Sequence, residues 1–315
     1  MCQRGSYATL SELVNLVETF EKVLQRHNLR IEVNSELERL CLQIYEVYDR
    51  YVQHRVMDNE NMRNALVDVL GAWELFKRIV NLDSLVDFEA FVPHLELLCK
   101  CNKNNSIIQN IARSQCNDTA NKVFELLMAF YILQAGGENI MLDDPVRSRG
   151  DNPDILVTFE GERWGFACKT LYTTSVNTIV ERIREGIDQI IVAGVDKGCV
   201  VLNFSNTLGG DLELDERLRQ CYSINEIIVV LTKSFNEKNS EIQNFIKKDP
   251  FRDNNVIPGY LGFYQTTYIE NSRPMLISAL NSANLSDQEI PAEDMEIFNR
   301  INDRGVHAKF YCHIH

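Results

Sequence analysis

With 315 residues, 45% of them hydrophobic and 24% charged, the chain has the composition of an ordinary globular protein and the length to bury a large core. A net charge of −13 argues against a general phosphate-binding surface, and no apolar run is long enough to cross a bilayer. Nine irregularly spaced cysteines, behind an N-terminus without an apolar leader, predict a reduced cytoplasmic protein with free core thiols.

Residues 7–110 read as helices. Leu10, Leu13, Val14, Val17 and Phe20 recur at three- and four-residue spacing, and Thr9 with Glu12 has the spacing of a capping box. The pattern continues with Leu37, Leu40, Ile44 and Val47 over 35–54, with Leu66, Val69, Leu70, Trp73 and Phe76 over 60–80, and with Phe88, Phe91, Leu95 and Leu98 over 85–100. These helices predict an N-terminal domain over 1–105, ending at the polar stretch 101–106. It carries no chemical motif. Its apolar stripes read first as packing, and second as a surface for a protein partner, DNA or a second copy of the chain.

A second domain, 106–315, has a different rhythm. A helix over 118–134 carries Val123, Leu126, Leu127, Phe130 and Leu133 on one side and stops at Gly136-Gly137. Strands follow near 139–142, 153–159 and 163–170, then a helix over 175–192 and a buried strand over 199–204. Helices over 213–220 and 224–247 and two late strands, 256–269 and 274–277, complete the reading.

The strands 153–159 and 163–170 form a hairpin if Glu160-Gly161 is a two-residue turn. Asp154 then stands opposite Ala167, and Lys169 opposite Asn152. Opposed residues share a face. One face is apolar: Ile155, Val157, Phe159, Trp164, Phe166 and Cys168. The other holds Asp154, Leu156, Thr158, Arg163, Gly165, Ala167 and Lys169, and its small residues predict room for a ligand.

Pro153-Asp154, Lys169 and the order α-β-β-β-α-β over about 118–205 resemble the active-site hairpin and core of the PD-(D/E)XK nuclease superfamily. The resemblance implies an α/β restriction-endonuclease-like fold, a mixed sheet flanked by helices. It also implies a metal-dependent endonuclease that hydrolyses phosphodiester bonds, in DNA before RNA, with a restriction or defence role by analogy. Asp154, the backbone carbonyl of Cys168 and the helix glutamate Glu125 would hold Mg²⁺ or Mn²⁺, and Lys169 would orient the attacking water. Gln189 resembles an accessory glutamine of some members. Arg147 and Arg149, in the loop before Asp154, and Arg182 are the expected nucleic-acid contacts, together with Gln189.

The family's second acid falls on Ala167. Three readings compete: a substitution that disarms the enzyme, an acid moved to Glu125, Glu181 or Glu185, or a nuclease fold that binds nucleic acid or a protein partner without cutting. The first is the expectation here, so that the chain is impaired and Ala167→Glu gives cleavage. Plain readings stand beside these: turn chemistry for Asn152-Pro153-Asp154, a surface lysine for Lys169, a solvated helix glutamate for Glu125. Cys99-Lys100-Cys101 and Cys312-His313-Ile314-His315 lie too far apart in sequence to predict a zinc site, and neither a nucleophile elbow nor a P-loop occurs.

Overall fold

The computed structural model describes residues 10–53, 59–85, 88–103, 105–109, 117–148, 150–207, 224–246, 255–270, 273–285, 289–305 and 307–310. Four helices precede the sheet: α1 (Leu10–Arg26), α2 (Glu36–Val52), α3 (Asn59–Leu85) and α4 (Val92–Lys100). A 3₁₀ turn, Phe88–Phe91, leads into α4, whose first turn carries Pro93, where the missing N–H leaves no bond unmade. Phe20 of α1 stacks on Phe76 of α3 at 4.2 Å between ring centres. Helix α5 (Asp118–Gln134) begins at Asn117, whose side chain accepts from the Ala120 N–H, and gives way to Gly136 at φ +99°.

The remaining elements are β1 (Glu138–Leu142), β2 (Ile155–Phe159), β3 (Glu162–Thr170), α6 (Val176–Ala193), β4 (Lys197–Asn203), α7 (Ile224–Ile246), β5 (Val256–Glu270), β6 (Arg273–Asn284), α8 (Ala292–Gly305) and β7 (His307–Phe310). The strands form one mixed sheet in sequence order, β1 to β7. Pairs β3–β4 and β4–β5 are parallel, and the other four are antiparallel. Parallel neighbours need long crossovers, and α6 and α7 lie in the two that occur here.

The hairpin forms in the register that its tip demands. Ile155 pairs with Phe166, Val157 with Trp164 and Phe159 with Glu162. Glu160 at φ +52° and Gly161 at φ +89° make a turn with two left-handed residues, whose twist matches that of the strands.

Alternation then sends the two sets of side chains to different cores. Ile155, Val157, Trp164, Phe166 and Cys168 pack under α5 in a continuous apolar cluster that also takes in α1 to α4 and α8. Ala167, Val200, Leu202, Tyr260 and Tyr264 pack under α6 and α7 on the other side. The result is an α/β protein with a mixed sheet between helices, preceded by helices.

One expectation needs correction. The small residues of the second face do not leave room for a ligand, because α6 and Pro153 fill it. A Cβ added to Gly186 of α6 would lie 2.9 Å from Val200 Cγ2 and 3.2 Å from Ala167 Cβ, and one added to Gly165 would lie 3.0 Å from Pro153 Cγ. Smallness here lets a helix press against the sheet.

Other differences are of extent. Helix α3 runs five residues past the expected 80, 85–100 divides into the 3₁₀ turn and α4, and β6 continues to Asn284. Helix α8 and strand β7 were not anticipated. Thr9 and the expected helix 213–220 lie outside the described residues. No described helix is long and apolar enough to cross a membrane.

Candidate active site

The ladder between β2 and β3 ends at Ile155 and Phe166. Asp154 comes just before it, after Pro153, which has no N–H to offer a neighbouring strand. Its carboxylate takes over from the backbone: Oδ2 accepts from the Cys168 N–H at 2.7 Å. Within a strand a residue's N–H and C=O reach toward the same neighbour. The Cys168 carbonyl therefore faces the same side as the Asp154 carboxylate, as a metal ligand there would require.

Helix α5 brings a second acid to this point. Glu125 is 4% exposed and close enough to Asp154 for its charge to be felt there. One turn earlier, Lys122 places Nζ 2.8 Å from Glu125 Oε1, 3.0 Å from Oε2 and 3.8 Å from Asp154 Oδ1. From α4, His94 sets Nε2 3.2 Å from Glu125 Oε2. At the end of β3, Lys169 Nζ donates to Gln189 Oε1 at 2.6 Å, and the Gln189 amide donates to the Gly150 carbonyl at 2.8 Å. Gln189 is buried on α6 and ties the ammonium to the loop before Asp154.

Burial sets the charges. It raises the Asp154 carboxyl to about 7, helped by the charge of Glu125 and opposed by Lys169, Lys122 and the Cys168 N–H. Glu125 is raised too, by burial first, against the pull of Lys122. Near neutral pH Asp154 therefore carries a proton part of the time. Burial and the Lys122 charge lower His94 to about 4, so its ring is neutral and Nε2–H donates to the Glu125 carboxylate.

This donor set suits one kind of cation. No group of three or more His, Cys, Asp or Glu side chains among the described residues converges as a metal cage would. Two carboxylates and a carbonyl are nevertheless what Mg²⁺ uses when substrate phosphate and water complete its shell. Calcium, which takes six to eight oxygens, and zinc, which takes four ligands, are poorer fits.

The other expected residues scatter. Ala167 is fully buried against α6. Glu181 and Glu185 are exposed on α6, where Glu185 pairs with Arg182 at 2.7 Å. Arg147 is exposed on a turn whose Val146 and Arg147 N–H groups bond Asp144, and Arg149 lies outside the described residues. Cys99 and Cys101 are buried, Cys101 donating its Sγ–H to the Asn105 carbonyl at 3.4 Å, and the tail from 311 lies outside the described residues.

Sequence reasoning missed the roles of Lys122 and His94. Lys122 was within reach, as an (i, i+3) partner of Glu125 on a predicted helix. His94 lies 31 positions from Glu125 on another helix, and no periodicity links them. Comparison with protein-family models, with characterised proteins and with solved structures gives no match, so the site stands on its own geometry.

Proposed function

We propose that the chain is a Mg²⁺- or Mn²⁺-dependent endonuclease of restriction-endonuclease-like architecture, acting on DNA, with Asp154 and Glu125 as its carboxylate pair and Lys169 as its catalytic ammonium. One observation carries this reading: two buried carboxyl groups, both within 4 Å of the Lys122 ammonium, stand at the end of a hairpin whose other strand ends in lysine. The element order α5-β1-β2-β3-α6-β4 supports it. The two carboxyl groups share one ammonium, Lys122, so a cation added between them would be drawn to the negative charge that remains.

Bound between them, the metal would supply Lewis acidity to the phosphate and lower the pKa of a water. The chain's own groups do the rest. The Cys168 N–H aims the Asp154 carboxylate, leaving Oδ1 toward Glu125 and Lys122. Gln189 holds Lys169 where its ammonium meets the charge of the scissile phosphate and orients the water. An acid at 167 is not part of this scheme. Glu125 takes its place, so the chain as written is competent. Restriction or defence, and residence in the cytoplasm, attach to the proposal by analogy alone.

The test is nicking of supercoiled plasmid by the full chain. Cleavage is expected with Mg²⁺ or Mn²⁺ and absent with a chelator, and Asp154→Asn or Lys169→Ala is expected to reduce it about a hundredfold or more. No cleavage under any metal, or cleavage untouched by Asp154→Asn, contradicts the assignment.

A second reading draws on Lys122. Its ammonium, against Glu125 and near Asp154, completes an ion cluster that needs no metal. Under that reading the fold is a catalytically dead module that holds nucleic acid or a protein partner. DNA retention that ignores chelator, without cutting, would favour it.

A further inference from the structure

His94 is the one side chain of the cluster described above that comes from the helical N-terminal region. It is 3% exposed, and its Nδ1 is buried with no hydrogen-bond partner among the described residues. For stability alone this is a poor arrangement. An unpaired buried nitrogen lowers stability, and a leucine in the same space carries no such cost.

What histidine offers and leucine does not is a donor at Nε2, 3.2 Å from Glu125 Oε2. Charge is not the reason for it. Lys122 already reaches both Glu125 oxygens, at 2.8 and 3.0 Å. A neutral donor adds direction without adding a positive charge that would repel an incoming dication. Donors of this sort, bound to a ligand and not to the metal, orient carboxylates in metal sites generally.

We infer that His94 is a positioning residue for Glu125, through which the helical N-terminal region completes the active centre of the sheet. The inference rests on the nuclease reading. It makes that region part of the catalytic apparatus, where the sequence offered only packing or a partner surface.

The test uses the full chain with His94→Leu and His94→Gln, the glutamine amide reaching about as far as Nε2. Three quantities are read: melting temperature in chelator, the Mn²⁺ concentration that gives one fixed rise in melting temperature, and the rate of plasmid nicking. Both variants should melt within about 3 °C of the wild type. His94→Leu should need about tenfold more Mn²⁺ and nick about tenfold more slowly, with His94→Gln close to the wild type in both.

A leucine variant with wild-type Mn²⁺ response and rate overturns the inference alone. Equal losses in both variants, in step with lowered melting temperatures, also overturn it and make His94 structural. A wild-type chain that neither responds to Mn²⁺ nor cuts overturns the nuclease reading itself, and this one with it.

Discussion

Ala167 and Glu125 stand in different surroundings near Asp154. Spacing placed the second acid at 167, two residues before Lys169. The structure buries that position against Gly186, and a helix 42 residues upstream in sequence carries Glu125 to the Lys122 ammonium near Asp154. Ala167→Glu, expected from sequence to give cleavage, is therefore expected to force α6 off the sheet and to lose roughly 2 kcal/mol or more, as overpacking and a buried charge do. Urea unfolding measures this. Normal stability with faster cleavage would return the role to 167.

Asp154 makes a second prediction at this scale. Its carboxyl is raised from an ordinary 3.8 to about 7, so between those values the folded chain binds a proton that the unfolded chain has lost. Its contribution to stability therefore falls as pH rises from about 4 to 7 and levels off above. Asparagine keeps an acceptor for the Cys168 N–H and has nothing to ionise. In chelator, the melting temperature of Asp154→Asn should gain on the wild type from pH 5 to pH 8. A difference that does not change with pH would mean that the carboxyl is not perturbed.

At the scale of elements, the hairpin was legible because its two signals agreed: Glu160-Gly161 as a turn, and an apolar residue at every second position. Helix α5 was legible for a similar reason, with one apolar side from Val123 to Leu133 and Gly136-Gly137 after it. Alternation gives the face on which a side chain lies but not what covers that face, and for that reason the small residues of β3 were read as open space. Helix α8 and strand β7 escaped notice although Ile297, Phe298 and Ile301 recur at helical spacing, because 292–305 is otherwise rich in charge and 307–310 is only four residues long.

The close approach of α6 can be measured. Gly186→Ala puts a methyl group 2.9 Å from Val200 Cγ2, which forces helix and sheet apart. A loss of about 1–3 kcal/mol is expected. Since α6 also carries Gln189, the Lys169 ammonium should lose its hold and cleavage should slow. Gly186→Ala with unchanged stability would show that α6 does not press on β3.

At the scale of the whole molecule, one apolar cluster runs from α1 through α5 to the sheet and α8. Composition changes near 105 and so predicts a boundary there, but composition says nothing about which surfaces meet. The two tryptophans report on both sides of it: Trp73 on α3 and Trp164 on β3, each buried. Variants retaining one tryptophan each, Trp164→Phe and Trp73→Phe, should give unfolding transitions by fluorescence that coincide with that of the backbone signal in the same variant, as a single cooperative unit does. A fluorescence transition from Trp73 well before the backbone transition would make the helical region a separate unit.

The most direct test of the whole account is calorimetric titration of Mn²⁺ into the full chain and into the double variant Asp154→Asn, Glu125→Gln. One site in the wild type and none in the double variant is the predicted result. Equal binding by both, or none by the wild type, contradicts the claim that these two carboxyl groups meet in order to hold a divalent cation.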